Sequence, residues 1–159
     1  ASDVYKRQVV DCPDARHIVL CENLNFLKTP RIARDNHIEL WYVGGNNISN
    51  IDYIPDHKLT LPLYYSCDWD YDGLKIYERL QDRFARKSKS ITLLYPSPIL
   101  RKSVDSPEHN SRWKHDQPFS GLIRSAYSQE AISLIQDLIA QDEWVEEETC
   151  ELIEMVKLT

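Results

Sequence analysis

Seven consecutive residues carry the densest chemical signal in the chain: Cys67-Asp68-Trp69-Asp70-Tyr71-Asp72-Gly73. Three carboxylates alternate where an apolar run gives way to a helical pattern. In extended backbone, residues two apart project to the same side, so Asp68 and Asp70 can jointly hold a hard divalent cation, Mg²⁺ or Mn²⁺, whose charge offsets their repulsion. Asp72 is the weaker third candidate, because an acid there also serves simply as a helix cap. A second acid, Glu22, closes the apolar run ending Leu20-Cys21. Were the two runs neighbouring parallel strands, Glu22 and the Asp pair would share the crevice beyond the strand ends, where open α/β sheets bind ligands. The plainer alternative leaves these acids solvated at a strand end and a helix N-terminus.

Two other acidic patterns compete. Asp68, Asp70, Asp72 and Gly73 satisfy the first, third, fifth and sixth positions of an EF-hand calcium loop, but the twelfth is Arg79, where a bidentate Glu is required. The preceding residues also read as a strand, which excludes the loop. Haloacid-dehalogenase phosphatases place a DxD after a strand with the first Asp as nucleophile. They want Thr or Val two residues beyond the second Asp, and this chain has Asp72, a partial match.

The elements that must position these acids are legible. His17–Cys21, Ile38–Val43, Leu61–Cys67 and Ser90–Tyr95 are short, near-continuously apolar runs, the pattern of parallel strands covered on both faces. Gly44-Gly45-Asn46-Asn47 predicts a turn, with a short helix up to Pro55. A helix is predicted from Asp72-Gly73 to about Lys87, with Leu74, Tyr77, Leu80 and Phe84 on its buried face. Pro96 to Pro118 reads as a long loop. Ser128 caps a helix carrying Ile132, Leu134, Ile135, Leu138 and Ile139, and Asp142 is expected to cap another carrying Val145, Leu152, Ile153 and Val156. Alternating strands and helices make this an α/β domain with a mostly parallel central sheet flanked by helices and a helical C-terminal segment. Residues 1–15 are read as an N-terminal linker or expression remnant, and 16–159 as one domain.

Composition narrows the function classes. With 159 residues, 42% hydrophobic and ten per cent aromatic, the chain is too apolar for a disordered tail. Its net charge is −6, yet residues 136–159 hold eight acids against Lys157, leaving the body near neutral at +1. Such a body lacks the clustered cations of a self-sufficient nucleic-acid binder. Cys12, Cys21, Cys67 and Cys150 form no CxxC pair or zinc spacing, so reduced thiols and a cytoplasmic setting are expected. No run approaches the roughly 20 apolar residues of a membrane span, and no signal peptide is seen. The polar opening without Met reads as a fragment of a larger protein.

A strand ending in Glu22, followed 46 residues later by a strand ending in Asp68-x-Asp70, resembles the TOPRIM domain of topoisomerases, primases and related nucleases. The wording is similar to one branch in particular. His17-Ile18-Val19-Leu20-Cys21-Glu22-Asn23-Leu24, Trp41-Tyr42-Val43-Gly44-Gly45 and Leu63 to Glu78 resemble the carboxy-terminal domain of the JetD family of Wadjet plasmid-defence subunits, itself similar to the topoisomerase VI A subunit. The resemblance spans Arg16 to Leu80. Cys67 stands where Gly is expected, and Asp72 where His or Tyr is common. Val145-Glu146-Glu147-Glu148 is similar to a Glu-Gln-Glu stretch of that branch, which makes Glu148 a weaker metal candidate.

The resemblance implies a TOPRIM-like Rossmannoid fold and a DNA nuclease in which Glu22, Asp68 and Asp70 bind one or two Mg²⁺ ions, or Mn²⁺. It further implies DNA and an SMC-type defence complex as partners, with a homodimer left open. Topoisomerases of this fold attack with a Tyr from another domain, and none of the tyrosines here is an obvious nucleophile. The class alternative is a non-catalytic module of the same fold that docks to an SMC-type complex, with a phosphatase third. Arg79, Arg83, Arg86, Lys87 and Lys89 could contact phosphate or complement a helix C-terminus. His109, Arg112, Lys114 and His115 could approach DNA or the metal from the long loop. Cys21, Cys67, Trp113 and Trp144 are expected to pack.

Overall fold

The computed structural model describes residues 8–45 and 48–159. The predicted strands form one sheet: β2 His17–Cys21, β3 Ile38–Tyr42, β4 Leu63–Ser66 and β5 Thr92–Leu93, all mutually parallel where they pair. A further short strand, β1 Val9–Val10, joins the β3 edge antiparallel, giving the order β1-β3-β2-β4-β5. Ile18, Val19, Leu20 and Cys21 are all 0% exposed, so both faces of the central strand are covered. That burial is why the strands read as continuous apolar runs and not as alternating ones.

The connections decide where ligands would meet the sheet. From β2 the chain passes through α1, Pro30–Asp35, to β3 on one side. It then returns past β2 through 3₁₀ turns at Ile48–Tyr53 and Asp56–Thr60, and β4 lies on the other side. From there α2, Tyr71–Ala85, leads to β5. The strand order therefore reverses between β2 and β4, and their carboxyl ends border the switch-point crevice. Gly44, just beyond β3, passes so close to this edge that a Cβ there would lie 2.1 Å from the Glu22 carbonyl oxygen.

Leu74, Ile76, Tyr77, Leu80 and Phe84 of α2 are buried. Two polar groups secure the layers from within. Glu39, fully buried on β3, accepts from the Cys12 N–H, the Trp41 indole and the Lys58 ammonium. Glu78 on α2 accepts from the Tyr127 hydroxyl at 2.7 Å and the Ile123 N–H at 3.0 Å, which ties the segment before α3, Gln129–Gln141, to α2.

Several expectations change. Residues 1–7 and the Asn46-Asn47 half of the predicted turn lie outside the described residues, but 9–15 are part of the fold. Val9 and Val10 pair with Trp41 and Leu40, and Cys12 is buried. Asp142 starts no helix. It sits left-handed, at φ 54°, as the C-cap of α3, while Ser128 caps the N-terminus by accepting from the Ala131 N–H. The chain then enters β7, Glu143–Val145, which pairs antiparallel with β6, Arg101–Ser103, from within the predicted loop. The helical form expected of the terminal segment is kept in a 3₁₀ turn at Glu147–Thr149 and in α4, Leu152–Lys157.

Candidate metal centre

Glu22 follows β2, and its N–H donates to the Ser66 carbonyl of β4 at 2.9 Å, continuing the ladder by one residue. Its side chain turns across to β4, where Oε1 accepts from the Asp68 N–H at 2.9 Å. Asp70, not Asp72, is the cap of α2: its Oδ1 accepts from the Gly73 N–H at 2.8 Å. The structure thus places Glu22, Asp68 and Asp70 at one edge of the sheet. Asp72 is exposed in the first turn of α2, where it favours the helix dipole, and its N–H donates to Ser111 Oγ.

Trp69 pairs as a lone antiparallel bridge with Val145, exchanging backbone hydrogen bonds at 2.8 and 3.3 Å. The bridge hangs the acidic C-terminal stretch beside β4 and brings in a residue that sequence reasoning passed over. Glu147, 1% exposed, donates its N–H to Asp68 Oδ1 at 2.8 Å and accepts at Oε1 from both the N–H and the side-chain amide of Asn23. Asn23 Nδ2 also reaches Asp68 Oδ1 at 3.3 Å. The expected Glu148 is exposed on the adjoining turn, near enough only for its charge to bear on Asp68. The signal for Asn23 was its place directly after Glu22, whereas no local feature separates Glu147 from its two acidic neighbours.

Four carboxylates thus share one largely buried edge, and among the described residues none of Glu22, Asp68 and Glu147 has an ion-pair partner. Burial and the Asp68 charge push Glu22 up to about 9 and Asp70 up to about 8. Glu147 rises to about 8, again mainly from burial, and burial raises Asp68 as well. Such a cluster holds protons at neutral pH or takes a cation. The donor set suits a hard dication: carboxylate oxygens only, with Glu147 Oε2 buried and, among the described residues, lacking a hydrogen-bond partner. Among the described residues, no three His, Cys, Asp or Glu side chains already surround one point as a cage. The reason is visible in the hydrogen bonds, since one oxygen of each carboxylate is turned to a backbone N–H.

From the long loop, His109 is the residue that reaches the edge; its ring stacks on Trp144 and its Nε2 faces Asp70. Burial, with the Arg112 charge, lowers its pKa. Arg112 ties the loop by donating to the Ser111 and His109 carbonyls. Lys114 lies over the Tyr71 ring, and His115 pairs with Asp142. The basic end of α2 is elsewhere: Arg83 and Lys87 face Asp52 and Arg86 faces Asp82, about 20 Å along the helix from Asp70 by its rise. Cys21 and Cys67 are buried thiols with raised pKa values, and Trp113 packs with its indole N–H donating to the Glu143 carbonyl.

Gly73 shows how tightly the edge is built. A Cβ there would stand 2.2 Å from the Asp68 carbonyl oxygen and 2.9 Å from Glu22 Oε1. Gly→Ala inside a helix ordinarily stabilises by about 1 kcal/mol. Here the sign should invert, because backbone must shift. Gly73→Ala is expected to destabilise by about 2–4 kcal/mol in urea unfolding, and a neutral or stabilising result would show that the Glu22–Asp68 approach is loose.

No known protein family, curated protein or solved structure matches this chain. Its functional reading therefore stands on the chemistry of this edge.

Proposed function

We propose that this chain is a TOPRIM-like catalytic domain of a metal-dependent DNA endonuclease, of the kind found in JetD-like plasmid defence. The observation that carries the reading is the gathering of Glu22, Asp68, Asp70 and Glu147 at the β2/β4 switch point, where among the described residues no Lys or Arg pairs with them. Glu22, Asp68 and Asp70 would hold Mg²⁺ or Mn²⁺, with Glu147 at its margin. When bound, the cation supplies positive charge against the scissile phosphate and a more acidic water. The protein's part is positioning. The Asp68 N–H fixes Glu22, the Gly73 N–H fixes Asp70, and the Glu147 N–H fixes Asp68, so one oxygen of each is held and the other is left for the ion.

DNA would have to be delivered. The body carries +1 overall, and Arg83, Lys87 and Arg86 near the far end of α2 pair with Asp52 and Asp82. This chain alone should therefore bind duplex DNA weakly and lose that binding as salt rises. A tethered amino-terminal part or an SMC-type complex would turn a rare encounter into an intramolecular one.

The same near-neutral body and acidic terminal stretch favour a second reading, a non-catalytic module that docks to such a complex. Plasmid nicking and linearisation in Mn²⁺ test the choice, comparing this chain with a longer protein carrying its native flanks and partners. The nuclease reading expects slow, salt-sensitive cutting by the chain and fast cutting by the complex. Absence of cutting by the complex would leave the docking module.

A further inference from the structure

We propose that His109 Nε2 is a metal ligand beside Asp70 Oδ2, and that this nitrogen tunes the site toward a first-row transition dication such as Mn²⁺ over Mg²⁺. The inference rests on the acidic edge binding a cation at all.

The His109 side chain is only 9% exposed, and the Asp70 side chain 6%. Its ring lies against Trp144 with centroids 3.8 Å apart and planes 16° from parallel, so the imidazole plane is set by packing. The loop that carries it is fastened on both sides: the Asp72 N–H donates to Ser111 Oγ, and the Arg112 guanidinium donates to the carbonyls of Ser111, Ser106 and His109. So placed, Nε2 is buried and among the described residues has no hydrogen-bond partner. A buried nitrogen left unmet is costly, which calls for a reason.

Asp70 Oδ2 lies 3.5 Å away, in contact but without a formed hydrogen bond. The spacing fits a different use. Two donor atoms each about 2.1 Å from one ion can lie up to about 4.2 Å apart, so a nitrogen and an oxygen at this separation can share a cation without moving. Asp70 Oδ1 is occupied by the Gly73 N–H, which leaves Oδ2, the oxygen facing His109, as the ligating atom. Carboxylates alone suit Mg²⁺ well, whereas an imidazole adds little for Mg²⁺ and more for a transition ion.

The test uses Mn²⁺ as probe and reads coordination directly. Electron spin-echo envelope modulation of Mn²⁺ bound to the chain is expected to show coupling to one imidazole nitrogen, and His109→Phe, which keeps a ring on Trp144, to remove it. Calorimetry should show Mn²⁺ affinity falling about tenfold in that variant, with a smaller loss for Mg²⁺. Circular dichroism without metal checks that the variant folds, and the wild-type spectrum is decisive even if it does not. Bound Mn²⁺ without nitrogen coupling would overturn the role of His109 and leave the metal centre standing. Failure of Mn²⁺ to bind wild type would overturn both.

Discussion

Asp68→Asn and Glu22→Gln are each expected to lower Mn²⁺-dependent DNA cleavage by about 10³-fold, measured as plasmid nicking by the protein with its partners. Both variants keep an acceptor oxygen where the structure uses one, at the Glu147 N–H for Asp68 and the Asp68 N–H for Glu22. What they remove is charge. A bound cation contributes several kcal/mol of transition-state stabilisation, and about 4 kcal/mol corresponds to 10³ in rate. Asp72→Asn and Glu148→Gln provide the contrast, since both side chains are exposed. They should cut within a few-fold of wild type. Equal losses from all four changes would show a general electrostatic effect, and undiminished cutting by Asp68→Asn would sink the site.

The second large effect is thermodynamic and needs no DNA. Mn²⁺ or Mg²⁺ at about 100 times its dissociation constant stabilises the folded state by about 2.7 kcal/mol. For a domain of this size that is a rise of about 5–10 °C in Tm. Asp68→Asn should abolish most of the rise, and its metal-free Tm should equal or exceed that of wild type, because one of four crowded carboxylates is gone. An identical metal response in wild type and variant would place the cation elsewhere.

The pH dependence of the metal-free protein follows from the same crowding. Glu22, Asp70 and Glu147 are pushed up to about 9, 8 and 8 in the folded chain, from ordinary values of 4.5, 3.8 and 4.5. Between those limits the folded state holds protons that the unfolded chain has released. Their contribution to stability is therefore full below about pH 4 and is lost as pH rises toward 9. The Tm in EDTA should fall across pH 5.5–8.5, while the increment from metal grows as the cation displaces those protons. A Tm in EDTA that climbs over this window would show that the carboxylates are not crowded.

Much of this protein is local enough to be written in its sequence. The runs His17–Cys21, Ile38–Tyr42 and Leu63–Ser66 are strands because each is apolar on both sides, and α2 begins where an acid can accept from the Gly73 N–H. Glu22 and Asp68 were identifiable as strand-end acids for the same reason. Position within an element is fixed by residues a few places away, and a period or a cap can be read at that range.

What the tertiary structure decided is everything set by long-range register. Val145-Glu146-Glu147-Glu148 offers three equivalent acids, and the Trp69–Val145 bridge, 76 positions apart, turns Glu147 inward and leaves Glu148 in solvent. Asp142 looks like a helix start, yet β6 was waiting in the predicted loop to pair with the residues after it, and pairing outweighed a local cap. His109 was one of four loop residues able to approach the metal, and nothing local set it apart from Arg112, Lys114 and His115. Its place beside Asp70 comes from Trp144, Ser111 and Arg112, contacts that exist only once β7 and the loop are folded against α2. Local chemistry can nominate a carboxylate, but the inward face of a residue is set by which distant strand it pairs with.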